Sequence, residues 1–316
     1  MIRIRPAAIV AFILLTWGLA WLVALPLWID GGLANPLAGT LIPVMMFTPA
    51  LAVLIVMLVL RPVPKGERLR FLGIWPLRPA KRVVWMMVLG LFAPIVVIAV
   101  SVAVAALFGW VRLDLVGFSG FAEQLAASLP AGVPAPPATA VILAQLLAIP
   151  FAAATINALL AFGEELGWRG FLVPALRQYG TWPALLISGG VWGLWHSPLI
   201  LLGYNFGVTD ITGVLLMTAG CIAWGVLLGW LRLRSASLWP AVFAHGAMNA
   251  AGGMILWFYA AGTSVDPALA GMLGVAGWIT CALVVVVLML TGQFRKQPEL
   301  DGAVGRMLSA PRQRGE

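Results

Sequence analysis

The stretch Val83–Phe108, VVWMMVLGLFAPIVVIAVSVAVAALF, decides the fold. It carries no charged side chain and exceeds the roughly 20 residues that an α-helix needs to cross the hydrocarbon core of a bilayer. In hydrocarbon the backbone can satisfy its own N–H and C=O groups only as a helix or a closed barrel. Apolarity this long and unbroken, with no polar residue at alternate positions, selects the helix. Outward from it, apolar runs recur at 7–29, 38–60, 139–163, 183–203, 211–231, 238–260 and 267–292. The 316 residues are 62% hydrophobic and 9% charged, whereas soluble domains carry about 25% charged residues. The fold expected is all-α: a polytopic membrane helix bundle of about eight transmembrane helices.

The segments between the runs are of a different kind. Residues 61–82 form a basic loop with Arg61, Lys65, Arg68, Arg70, Arg78, Lys81 and Arg82, and its four prolines argue against one long helix. Residues 109–138 are rich in Gly and Pro, with a short interfacial helix expected near Phe121–Leu129. The tail from Phe294 to Glu316 is polar and reads as disordered. The run 7–29 is longer than the apolar core of a signal peptide, about 7–15 residues, and reads as an uncleaved first span. The organisation expected is an N-terminal part, 1–138, a core, 139–260, a last span, 261–292, and a cytoplasmic tail, 293–316. No internal repeat is apparent, which disfavours inverted-repeat transporter folds.

Charge sets the orientation. With the N-terminus in the cytoplasm and alternating spans, 18 of the 19 basic residues fall inside and only Arg112 falls outside. The positive-inside rule therefore places both termini in the cytoplasm; the Ala/Gly/Arg/Trp-rich composition suggests a bacterial cell, whose inner membrane is the expected location. The net charge of +8 is spread over span ends rather than gathered in an aromatic-interleaved basic domain, so nucleic acid is not an expected partner. Cys221 and Cys281 lie in apolar runs with no CxxC or Cys/His metal spacing, and read as packing residues.

Polar groups inside such runs are costly and mark function. Glu164, Glu165 and Arg169 follow one another at the cytoplasmic end of the fourth run. On a helix Glu165 and Arg169 share a face, and a bidentate contact would neutralise Glu165. Glu164 points about 100° away without that partner, which makes it the better proton-accepting base. His196 follows Trp192 by four residues, so the indole could wall a pocket. His245 and Asn249, also four apart, project from one face and together offer N–H donors for an oxyanion. Each group alone also reads as an interfacial carboxylate pair or an interhelical hydrogen bond; together they form a hydrolytic set. Glu164, His196 and His245 could equally hold a single catalytic zinc, and the sequence leaves metal-bound and glutamate-activated water as alternatives.

The order Glu164-Glu165-x-x-x-Arg169, aromatic-x-x-x-His196, His245-x-x-x-Asn249 resembles the CAAX prenyl protease and bacteriocin-processing (CPBP, or Abi) family of intramembrane proteases over roughly 140–260. The resemblance implies a membrane endopeptidase. Glu164 would activate water with His196 as partner, His245 and Asn249 would hold the oxyanion, and Glu165 and Arg169 would form a structural ion pair. In the second motif Trp192 stands where Phe is usual, and a larger ring would narrow the pocket. The partners expected are membrane lipid and a protein or peptide substrate, lipidated if it follows the family. Arg232 and Arg234 could steer a substrate carboxylate or serve only as topogenic charges. The cavity is expected to open toward the cytoplasm. Because His196 lies further along its run than His245, the start of the fifth span is expected to protrude or to kink at Gly189-Gly190. The rival readings are a proton-coupled transporter and a non-catalytic scaffold using the same polar cluster.

Overall fold

The computed structural model describes residues 2–297. Apolar sequence has become helix throughout, and among these residues there is no strand, only one isolated bridge between Leu113 and Tyr259. In chain order the helices are α1 (Pro6–Ile29), α2 (Ala38–Met45), α3 (Thr48–Val59), α4 (Arg68–Phe71), α5 (Ala80–Leu107), α6 (Ser119–Ala127) and α7 (Ala138–Ala154). They continue as α8 (Ile156–Glu165), α9 (Val173–Leu176), α10 (Thr181–Trp195), α11 (Ser197–Ile200), α12 (Ile211–Ser235), α13 (Trp239–Ala251), α14 (Pro267–Ala270) and α15 (Val275–Leu290). Large side chains such as Leu22, Phe151, Leu107 and Leu290 stand exposed on the outside. A water-soluble surface would not carry so much contiguous apolar area, and the protein is an integral membrane protein.

Fewer than eight of the expected spans are found as long apolar helices among the described residues. Five described segments are long and apolar enough to cross a membrane, and a sixth qualifies if α7 and the helical run from Ile156 to Tyr179 count as one span bent by 44°. The other two, α10 with 15 residues and α13 with 13, fall short of the roughly 20 needed. α13 is largely enclosed by its neighbours, whereas α10 is buried on one face and exposes Leu186, Ile187 and Leu194 on the other. Where sequence suggested continuous runs, the chain is also broken: α2 and α3 part at Met46–Phe47, and α7 and α8 part at Thr155.

The breaks follow from packing. Gly246 of α13 passes directly against the Ala153 carbonyl and Ala158 N at the α7–α8 break, leaving no room for a side chain. On its other side α13 lies along α5, where Gly90 meets the Pro240 carbonyl. Gly189 and Gly193 likewise let α10 approach the backbone of α12 at Ile222 and Thr218. Small residues at such crossings are how membrane helices reach close van der Waals contact. Indole N–H groups add ties between helices: Trp17 donates to the Val191 carbonyl, Trp28 to that of Pro198 and Trp195 to the Thr48 hydroxyl.

The expected kink at Gly189-Gly190 is absent; α10 is continuous to Trp195. The offset between the two histidines is absorbed at the other helix. α13 starts from a buried corner in which Ser235, Ser237 and Leu238 are at most 2% exposed. The basic loop covers that corner: Leu238 N and Ser237 Oγ donate to the Gly73 carbonyl, and Trp239 Nε1 donates to that of Ile74. His196 and His245 line one cavity all the same. In the loop 109–138 the short helix is α6. The first residues of the tail are ordered against the bundle, with Gln297 buried and accepting from Arg177; residues 298–316 of the expected disordered tail lie outside those described.

Two alanine substitutions in α10 separate close packing from helix propensity. Gly193→Ala, meeting Thr218 backbone, should lower stability by about 1–3 kcal/mol. Gly190→Ala has open space around its Cβ and should gain up to about 1 kcal/mol. Unfolding in mixed detergent micelles reads both.

Candidate active site

The α7–α8 break, the end of α10 and the corner before α13 bring the polar residues together. After Glu165 the helix widens into a π-helical turn, Leu166–Leu172, whose Trp168 and Arg169 are fully enclosed. Such turns frequently mark functional positions. Glu164, Glu165, Arg169 and His245 are all at most 3% exposed.

Glu165 is the hub of the charge network. Its Oε1 accepts from Arg169 Nη1 at 2.6 Å and from His245 Nδ1 at 2.9 Å. The expected bidentate fork does not form: Oε2 of Glu165 and Nε of Arg169 have no hydrogen-bond partner. The guanidinium instead lies 4.5 Å from the Trp192 ring centroid, a cation–π contact strengthened by removal from water. Glu164 is held by indoles. Trp192 Nε1 donates to its Oε2 at 2.7 Å and Trp168 Nε1 to the same atom at 3.4 Å, while Oε1 lies 4.0 Å from His245 Nε2.

Trp192 therefore does more than wall a pocket. It bonds Glu164, carries Arg169 on its face and meets the His245 ring edge-on at 5.2 Å. A phenylalanine could give the ring contacts but not the hydrogen bond to Glu164. The sequence showed the larger ring at this position; which atom its N–H would reach depended on how α8 and α10 cross.

His196 terminates α10, with Nδ1 on the Trp192 carbonyl at 2.9 Å. Nδ1–H thus donates to backbone and Nε2 is the free acceptor in the neutral ring. Glu164, His196, His245 and Asn249 line one cavity of about 700 Å³, with Trp192 in its wall. Its remaining surface is mostly apolar and rich in methionine: Met45, Met46, Met217, Met248 and Met272. Three polar residues not singled out from sequence join it. Asn157 lies seven residues before Glu164, two turns back on the same face, and Tyr204 and Asn205 enter from the α11–α12 connection. The i, i+7 spacing of Asn157 was the readable signal; nothing marked the connection as cavity wall.

Among the described residues no three His, Cys, Asp or Glu side chains gather as a metal-holding group. His245 turns Nδ1 to Glu165, and Glu164 commits Oε2 to two indoles. Those bonds leave Glu164 Oε1 and the Nε2 atoms of His196 and His245 as the atoms that would hold a metal; the chemistry below is derived from the side chains alone.

The cavity opens at the end of the bundle away from the basic connections. Its exposed lining is Asn205, Asn249, Gly253 and Leu256; its floor is Glu164, Trp192 and His245. No lining residue comes from the basic connections 61–79, 166–180 or 232–238. Those connections gather at the opposite end and close it. Arg232, buried, donates through Nε to the Arg169 carbonyl and through Nη2 to that of Phe71. Arg234 donates to Gln293. Neither arginine lines the cavity, so substrate steering is not their role here.

Residues 137–251 match the family model described as type II CAAX prenyl endopeptidase Rce1-like. A CAAX prenyl protease 2 of Methanococcus maripaludis is 30% identical over 92 residues, covering 27% of this chain and 34% of that protein. The chain thus matches about a third of the length of this curated relative. The match spans the segment from α7 to α13 and agrees with the resemblance read from the three motifs.

Removing one member of a buried ion pair leaves its partner uncompensated. Arg169→Met should cost about 3–5 kcal/mol. Combining it with Glu165→Gln should cost clearly less than the two single changes summed, as a double-mutant cycle in detergent unfolding would show.

Proposed function

We propose that the protein is an intramembrane endopeptidase that hydrolyses a peptide bond with a water activated by Glu164. The observation that carries this reading is the asymmetric hold on that carboxylate. Oε2 is pinned by the Trp192 indole, while Oε1 faces the cavity 4.0 Å from His245 Nε2. A carboxylate fixed by one oxygen and free at the other is placed to take a proton without reorienting.

In this mechanism a water sits against Glu164 Oε1, with His196 Nε2 as its second acceptor. The water oxygen bonds to the scissile carbonyl carbon as Glu164 takes the proton. The carbonyl oxygen becomes an oxyanion beside Asn249 and His245. Collapse breaks the C–N bond, and the proton on Glu164 passes to the leaving amine. No bond between enzyme and substrate forms. Nδ1 of His245 gives its hydrogen to Glu165, so Nε2 can donate to the oxyanion only when the ring carries both hydrogens. Glu164, Glu165 and Arg169 sum to one net negative charge, which a cationic ring would balance. Glu165 and Arg169 act as positioning residues, holding His245 and the Trp192 face.

The protein is proposed to sit with both termini in the cytoplasm, following the 18 of 19 basic residues placed there. The similarity to CAAX prenyl proteases makes a peptide or protein the substrate class.

Substitutions grade the roles. With a quenched peptide that the wild type cleaves, Glu164→Gln should lower kcat by about 10²–10⁴-fold with the melting curve kept. Asn249→Ala should lower it by about 10²–10³-fold. Trp192→Phe removes one hydrogen bond to a charged group, worth about 1.5–3 kcal/mol, and should lower kcat roughly 10–100-fold with KM little changed. Full activity in Glu164→Gln would overturn the mechanism.

A further inference from the structure

We propose that the cavity is loaded from the face away from the basic loops, the extracytoplasmic face, and that its substrate is an apolar polypeptide segment presented there. This rests on the hydrolase reading for its chemistry, and on the structure for its direction.

The direction comes from which ends of which helices build the cavity. α10 contributes its last residues, Trp192 and Trp195, and α12 contributes Met217 near its start. α13 contributes its second half and the Gly252–Leu256 turn, and the α14 region contributes Pro267, Gly271 and Met272. Each of these lies at the helix end opposite the basic connections. Exposure rises along the same axis: Glu164 is 2% exposed and Leu256 is 40% exposed. Beneath Glu164 the chain is closed by the π-helical turn, where Trp168, Phe171 and Leu172 are 0% exposed. Beyond that turn lies the loop Phe71–Ile74, clamped by Arg232, Ser237 and Trp239.

The positive-inside rule then fixes what the mouth faces. The closed end carries the basic residues and belongs to the cytoplasm; the open end belongs to the other side. A lipidated C-terminus arriving from the cytoplasm would meet the closed end. A segment emerging on the outer side would meet Asn205, Gly253 and Leu256 first. Inside it would lie against the five methionines, whose flexible thioethers adapt to apolar side chains of varied shape.

Two glycines with open space around the Cβ give a matched test: Gly253 at the mouth and Gly66 in the basic loop, both exposed. The native Cys221 and Cys281 are buried and supply the background. In intact cells a bulky, membrane-impermeant maleimide should label full-length Gly253→Cys without permeabilisation, and Gly66→Cys only after it. In purified protein, the label on Gly253→Cys should lower peptide cleavage at least tenfold relative to the same protein unlabelled. The label on Gly66→Cys should change it less than twofold. The reverse labelling pattern, or a mouth label that leaves cleavage intact, would overturn the proposal. Should no variant or wild type cleave any peptide in detergent, the hydrolase reading fails, while the labelling pattern still decides which face the cavity serves.

Discussion

Burial of two adjacent carboxylates in an apolar bundle is the constraint around which the rest of the structure is arranged. Unpaired, each would be prohibitively costly in so dry a setting. Glu165 is compensated by Arg169 and His245 through one oxygen, and Glu164 by two indole N–H groups and a nearby imidazole. The compensating groups come from three parts of the chain: Trp168 and Arg169 from the π-helical turn, Trp192 from α10 and His245 from α13. The helices must therefore meet at fixed angles, and the glycines at 189, 193 and 246 are where they do so.

This arrangement explains the short helices. α10 and α13 carry the histidines, and neither alone has the length of a full span. α13 is enclosed by longer neighbours and starts inside the protein, and α10 ends inside it. His196 lies at the very end of α10, where the helix gives way to a cavity, and α13 starts under a cover of loop. Both are ways of placing polar side chains at the bottom of a depression without exposing helix ends to lipid, where unsatisfied backbone groups are not tolerated.

The apolar runs were legible in the sequence because hydrocarbon imposes length and composition on every span. The polar residues were legible for the same reason: His196, His245 and Asn249 stand out against Val, Leu and Ala. The breaks were not. The separation of α7 from α8 reflects Gly246 passing between them, a contact between residues far apart in the chain. The absent kink in α10 shows the converse, since Gly189 and Gly190 looked like a hinge in one dimension, whereas Gly189 serves as a crossing point in three. The indole of Trp192 was visible as a substitution for Phe, but its bond to Glu164 follows from helix crossing. The direction of the cavity depended on which connections fold over the site and which stand open, contacts between residues far apart in the chain.

The most direct measurement of the central claim is a single turnover in H₂¹⁸O, quenched by denaturation, with mass analysis of peptide and intact protein. A glutamate-activated water predicts one ¹⁸O in the newly formed carboxylate and an unmodified protein mass at every time point. A protein mass raised by a peptide fragment, or product formed without the label, would contradict it.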